Sequence, residues 1–156
     1  MGRMPIVNYF PLESEIDQEK KYPLCLASCT ECGFLQLNYL LPPEKLFGEY
    51  HYMSGASKPL VDHLTELAES CVREFKITKV NKGLDIGCND GSFLRTLLGR
   101  ARLFGVETSK NATDLLIDED VYVETNYFSL SLAKRLKKKK GGFDLVVSTH
   151  TVARGL

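Results

Sequence analysis

The chain has 156 residues and a mass of 17.5 kDa, with 44% hydrophobic, 10% aromatic and 26% charged residues, a balance that excludes disorder, collagen-like repeats and low complexity. Twenty Lys and Arg cancel twenty Asp and Glu, so no excess of positive charge is available to displace counterions, and nucleic acid is not the default partner. Apolar runs are too short for a membrane span, acidic residues follow the N-terminus too closely for a signal peptide, and five cysteines are too few for a disulfide scaffold; the expectation is a cytoplasmic protein, free of membrane, whose thiols bind metal or pack.

Residues 1–57 are rich in Pro, Tyr and Cys without lasting periodicity, the texture of a small loop-rich module. A helical pattern then begins. Leu60, Leu64, Leu67, Ala68, Cys71, Val72 and Phe75 recur at three- and four-residue steps, with Ser57 placed as N-cap and Pro59 in the first turn, which predicts an amphipathic helix from Lys58 to Phe75. Short apolar runs and short helical patterns alternate from there: a strand over Leu84–Ile86, a helix over Ser92–Leu98, a strand over Leu103–Val106 and a helix over Asn111–Ile117. A strand over Val121–Val123, a helix over Leu130–Leu136 and a strand over Phe143–Ser148 follow. This cadence predicts an α/β fold, a Rossmann-like and partial doubly wound parallel sheet over residues 58–156, with ligands at the carboxyl ends of its strands. The cationic run from Lys134 to Lys140, followed by Gly141 and Gly142, reads as a helix C-terminus favoured by positive charge and then a turn, against the alternative of an anion patch.

Asp85-Ile86-Gly87-Cys88-Asn89-Asp90-Gly91 ends one predicted strand and opens the next helix. Gly87 and Gly91 suit a tight turn and close approach to a ligand, with Asn89 between them in the same loop. Asp85 and Asp90 would repel a dinucleotide pyrophosphate, and G-x-G-x-x-G is absent. S-adenosylmethionine has an ammonium and a sulfonium that carboxylates attract and a carboxylate that backbone N–H groups can hold, so the loop favours the methyl donor. Glu107 ends the next predicted strand, placed to accept two ribose hydroxyls; that spacing also permits NAD. Cys88 reads as a packing residue, since no basic neighbour lowers its pKa.

Cys29-Thr30-Glu31-Cys32-Gly33 has the form of a zinc knuckle, in which Cys29 and Cys32 supply half of a tetrahedral site. Cys25 stands as a third ligand or a buried thiol, and His51 and His63 as conceivable fourth ligands. The loop-rich setting favours a metal site over a redox motif.

Taken together, Pro5-Ile6-Val7-Asn8-x-Phe10, Cys29-x-x-Cys32-Gly33-x-x-Gln36-Leu37, Tyr50-x-Tyr52-x-Ser54-Gly55-x-Ser57 and Asp85-Ile86-Gly87-Cys88-Asn89-Asp90-Gly91 resemble the sugar C-methyltransferase family over nearly the whole chain. The resemblance implies a zinc-ribbon-like module over residues 1–57 and a Rossmann-like domain for S-adenosylmethionine, then a sugar domain acting on a nucleotide-linked deoxy-ketosugar. It implies that Tyr52, with Tyr50 beside it, is the active-site tyrosine of this stretch. The family's second C-x-x-C lies upstream of the segment that resembles Met4–Phe10, and its His base lies beyond the segment that resembles the end of this chain; His150 is read as a loop residue. The expectation is thus the front portion of such an enzyme, with a zinc half-site and weak or no turnover alone. A binding or assembly module that meets a partner or a second copy through an exposed sheet edge is the alternative, and an NAD-dependent oxidoreductase the second alternative.

Overall fold

Residues 2–7, 10–47, 50–116 and 120–151 are described by the computed structural model, and the chain parts into two units, Met1–Tyr50 and His51–Leu156. Residues 51–57 fall in the second unit, where the backbone of residues 52, 54 and 55 bonds to the loop that follows the first strand of its sheet, as described below.

The first unit is built from two short antiparallel ladders. Strand β1 (Arg3–Met4) pairs with β2 (Tyr22–Pro23), and β3 (Leu26–Ser28) pairs with β4 (Leu35–Leu37). A single turn of helix, α1 (Pro43–Phe47), follows. The Tyr22 ring stacks on Tyr39 with centroids 6.3 Å apart, and Lys45 reaches the Tyr22 hydroxyl. No described residue of this unit is buried.

The second unit opens with α2 (Lys58–Glu74), and Leu64, Ala68 and Cys71 form the buried stripe that the periodicity predicts. Ser57 holds the N-cap position without a side-chain capping bond. Phe75, predicted on the buried face, is instead 59% exposed: it is the C-cap, and Lys76 at φ 51° turns the chain away after it. The elements that follow are β5 (Lys82–Ile86), α3 (Ser92–Thr96), β6 (Arg102–Glu107), α4 (Lys110–Thr113), β7 (Val121–Thr125), α5 (Leu130–Lys140) and β8 (Leu145–Val147). The helix predicted over Asn111–Ile117 is α4 followed by a 3-10 turn at Asp114–Leu116, and Ile117 lies outside the described residues. Helix α5 carries on through the lysine run to Lys140, and Lys82 Nζ donates to the Lys140 carbonyl at its end.

The four strands among the described residues of the second unit are parallel, in the order β7-β6-β5-β8. The chain therefore moves outward from β5 to β7, then returns to the other side of β5. That reversal is the switch point of a doubly wound sheet, and it opens a crevice at the carboxyl ends of β5 and β8. Alternation along the strands supplies a core on each face. Leu84, Ile86, Phe104 and Val106 pack with Leu132 and Leu136 of α5, while Leu103 packs on the opposite face with the buried stripe of α2 and with Phe93, Leu94 and Leu97. The fold is Rossmann-like α/β. Among the described residues no helix is long and apolar enough to cross a membrane.

Candidate functional site

The register of β5 and β6 sets the site's charge. Asp85 pairs with Gly105, so Asp85, Gly105 and, two residues on, Glu107 lie on one face of the sheet. Two acids thus sit on neighbouring strands at the mouth of the crevice. Asp85 is only 2% exposed, and its Oδ1 is buried without a hydrogen-bond partner among the described residues. Burial, and secondarily the negative charge of Glu107, push the Asp85 carboxyl up to about 7.

Glu107 is also buried but well supplied. Its Oε1 accepts from the backbone N–H groups of Thr108 (2.7 Å) and Ser109 (2.9 Å) and from the Thr108 hydroxyl, and its Oε2 accepts from Asn89 N–H at 2.9 Å. A carboxylate has about four acceptor directions, so Oε2 alone retains room. Two hydroxyls, as the sequence leads one to expect at Glu107, would have to share Oε2.

The loop between β5 and α3 is held by its own chain. Gly87, Asn89 and Gly91 have φ of 77°, 50° and 78°, a left-handed geometry that favours glycine and tolerates asparagine. Gly87 N–H and Cys88 N–H both donate to Val106 O, Gly91 N–H to Cys88 O, and Ser92 N–H to Asp90 Oδ1. The close approaches predicted for a ligand at Gly87 and Gly91 are made by the side chains of Thr151 and Leu116. Asp90 is turned to the chain as well: Oδ1 also accepts the Ser92 hydroxyl at 2.6 Å and Oδ2 accepts Gly55 N–H at 2.7 Å.

Asn89 fastens the preceding segment. Its Oδ1 accepts Ser54 N–H at 2.9 Å, and its Nδ2 donates to Tyr52 O at 3.0 Å. With the Asp90–Gly55 bond, these ties lay residues 52–55 along the loop and fix the backbone of Tyr52, whose side chain is half exposed. Sequence reasoning missed the backbone roles of Ser54 and Gly55. The one local signal is Gly55 itself, since a Cβ there would meet Asp90 Oδ2 at 2.9 Å. Tyr50 belongs to the first unit, where its ring meets Phe47.

Cys88 is buried with its Sγ over Gly105, and burial, then Asp85 and Glu107, raise the thiol well above its ordinary pKa. A packing role follows. A Cβ on Gly105 would stand 2.7 Å from that sulfur and 3.3 Å from Leu94, so Gly105→Ala is expected to cost about 2 kcal/mol by overpacking. Cys88→Ala in the same chain is expected to recover more than half of that loss in urea unfolding; strictly additive losses would contradict the contact.

Cys29 and Cys32 lie in the turn that joins β3 to β4. Cys29 N–H donates to Phe34 O, Gly33 N–H donates to Cys29 O, and Gly33 has φ 74°. The backbone N–H groups of Cys32 and Glu31, and then the Cys32 thiol, donate to the Cys29 sulfur and hold its pKa below the ordinary thiol value. A sulfur that accepts backbone N–H groups on a C-x-x-C-G turn has the donor chemistry of a zinc ligand. Among the described residues no three His, Cys, Asp or Glu side chains gather as a metal site. Cys25 precedes β3 and Cys29 follows it, which puts their Cα atoms about 13 Å apart along an extended strand, too far to share one ion.

Residues 1–47 match the Methyltransf_13 family model, described as "Putative zinc binding domain". The chain is 23% identical over 154 residues, 97% of its length, to the C-methyltransferase NovU of Streptomyces niveus. The chain is similar to C-methyltransferases over its N-terminal and central portion. It spans 37% of the length of that C-methyltransferase. Two solved structures are also similar over parts of the chain. The YcgJ protein from Bacillus subtilis has a TM-score of 0.44 and 16% identity over 57% of this chain and 38% of its own. The plantazolicin methyltransferase BpumL, in complex with a monoazolic desmethylPZN analog and SAH, has a TM-score of 0.34 and 25% identity over 44% of this chain and 29% of its own.

Proposed function

We propose that the second unit binds S-adenosylmethionine at the carboxyl end of β5, and that the chain carries the donor-binding portion of an enzyme that C-methylates a nucleotide-linked deoxy-ketosugar. The observation that carries the reading is the unpartnered, buried Oδ1 of Asp85 at the switch point. A buried carboxyl oxygen without a protein donor among the described residues calls for a cationic or N–H donor from a ligand, and the ammonium of the methyl donor is such a group. Glu107 Oε2 would accept one hydroxyl of its ribose, while Asn89, Asp90 and the two glycines shape the loop without spending their polar atoms on the ligand.

The same bonds argue against a dinucleotide. The N–H groups of Gly87, Cys88, Asn89, Gly91 and Ser92 are all committed to oxygens of the chain, so the loop lacks the free donors that a pyrophosphate needs. They equally leave the donor's own carboxylate to be held by groups other than these five.

The bound donor supplies an electrophilic methyl on its sulfonium. Tyr52, with its carbonyl pinned by Asn89, would present its ring on the substrate side, in line with the resemblance to sugar C-methyltransferases. The His base that the resemblance implies is not assigned to any of these 156 residues. Zinc on Cys29 and Cys32 would serve the first unit structurally.

Isothermal titration at pH 8 with S-adenosylmethionine, S-adenosylhomocysteine and NAD in turn tests the reading. Binding of S-adenosylmethionine and no binding of NAD is expected. A folded sample that ignores S-adenosylmethionine at millimolar concentration, or that takes NAD alone, would overturn it.

A further inference from the structure

Residues 51–53 belong to no helix or strand, and a single 3-10 turn at Ser54–Ala56 follows them. Met53 is extended, with φ −110° and ψ 126°, so the Tyr52 carbonyl and the Ser54 N–H point to the same edge of the backbone. The Asn89 amide meets both, its Oδ1 accepting Ser54 N–H at 2.9 Å and its Nδ2 donating to Tyr52 O at 3.0 Å. A neighbouring strand would offer an extended segment the same pair of partners; here one buried side chain offers them.

The backbone of that residue faces the other way. Asn89 N–H donates to Glu107 Oε2 at 2.9 Å, the carboxylate oxygen that retains room for a ribose hydroxyl. Asn89 has φ 50° and stands outside helix and strand, so bonds on both of its sides, rather than a regular element, set its place. One residue thus joins the crevice to the segment that carries Tyr52.

We infer that Asn89 is a positioning residue that couples the methyl donor to the tyrosine segment: donor ribose, Glu107, Asn89 and the backbone of residues 52–54 form one line of hydrogen bonds, and filling the crevice steadies Tyr52. This coupling rests on the donor reading of the crevice. Its physical basis is shared ordering. The loop must be fixed when the donor binds, and the grip of the Asn89 amide on residues 52 and 54 fixes it beforehand, so each event lowers the cost of the other. The coupling is reciprocal: the factor by which the donor steadies the segment is the factor by which the closed segment raises donor affinity. An acceptor then meets a fixed tyrosine when the donor is already in place.

Two variants of the full chain cut the link from opposite ends. Asn89→Gly suits the left-handed backbone and keeps the N–H to Glu107, but removes the amide. Ser54→Pro leaves the loop untouched and deletes the N–H that Asn89 accepts; Met53 has the extended backbone that precedes a proline, and Ser54 opens a turn, where proline is accepted. Ser54→Ala keeps that N–H and serves as the control.

Hydrogen exchange of the peptide spanning residues 52–57 is followed by mass spectrometry with and without saturating S-adenosylhomocysteine, and affinities are taken by titration. In the parent and in Ser54→Ala the ligand is expected to slow exchange there by about fivefold or more. In Asn89→Gly and Ser54→Pro that protection is expected to vanish, with affinity lower by a similar factor, and the double variant should lose no more than either single one. Protection that survives in Asn89→Gly would mean that the ligand touches the segment itself, and would overturn the coupling. So would Ser54→Pro binding as tightly as the parent, or a parent that binds the ligand with exchange at residues 52–57 unchanged. A folded parent that binds no S-adenosylhomocysteine would overturn the donor reading, and the coupling with it.

Discussion

Asp85→Asn is expected to stabilise the ligand-free protein above pH 7 while removing donor binding. The Asp85 carboxyl is pushed up to about 7 by burial and by Glu107, against 3.8 for the unperturbed group. Because the native-state value is the higher one, the unfolded chain releases this proton first. Stability is untouched by Asp85 below pH 3.8, falls as pH rises from there to about 7, and stays at its reduced level beyond. At 1.36 kcal/mol per pH unit the interval corresponds to about 4 kcal/mol. Asparagine removes the charge but still buries an amide, so a net gain of about 2 kcal/mol is expected at pH 8, seen as a rise in Tm of about 4–8 °C.

At pH 5 most of that gain should be gone, because Asp85 is then protonated in the folded protein. The measurement is thermal unfolding of both chains at the two pH values without ligand. A variant no more stable than the parent at pH 8 would show that Asp85 already has a partner. Binding runs the opposite way: the ammonium requires the ionised carboxyl, so affinity for S-adenosylmethionine should rise up to tenfold per pH unit below pH 7 and level off above it. In Asp85→Asn that slope is expected to vanish along with at least tenfold of the affinity at pH 8, the scale of one charged hydrogen bond. A site that costs stability when empty and regains it on binding is the signature of a functional carboxylate.

How far the sequence foretells this site depends on the kind of contact. Asp85 and Glu107 were legible because each lies at the carboxyl end of a predicted strand and strand period is two, so the Asp85–Gly105 pairing leaves Glu107 two residues on and on the same face. The turn glycines were legible for the same local reason, since Gly87 and Gly91 need a left-handed backbone whatever surrounds them. What fills the space beside them was not. Thr151 lies sixty-four residues from Gly87 in sequence, and no local pattern says that β8 pairs with β5 and brings it there.

Side-chain hydrogen bonding was the least legible level. Asp90 reads as a ligand group because its charge attracts a cation, and Asn89 because it lies in the same loop, but the backbone of residues 52–55 bonds to both. That segment has no periodicity, so its course along the loop could not be anticipated. Phe75 shows the converse limit: the three- and four-residue spacing runs one residue beyond the helix that it describes, because a C-cap keeps the pattern while losing the face.

Gly91→Ala should be the most damaging of the single glycine substitutions of the second unit that combine a positive φ with a packed neighbour in the core. Gly91 has φ 78° at the N-cap of α3, and a Cβ there would run into Leu116, one of the most deeply buried side chains of the unit. Gly99 gives the comparison that separates the two costs. It has nearly the same backbone, φ 72°, but nothing lies within 4 Å of its would-be Cβ.

Gly99→Ala therefore reads the left-handed strain alone, about 1–2 kcal/mol. Gly91→Ala adds overpacking of about 1–3 kcal/mol on top of it. In urea unfolding the two variants should differ by that excess, and on a Leu116→Ala background the excess should collapse, because the atoms that a new Cβ meets are gone. Equal losses at the two glycines would mean that Leu116 moves aside freely. The excess also has a functional reading: if Leu116 holds its place, the loop must shift instead. The bonds from Asn89 N–H to Glu107 and from Gly55 N–H to Asp90 would then break before the sheet does, and donor affinity should fall by more than the loss of folding stability at the working temperature can account for.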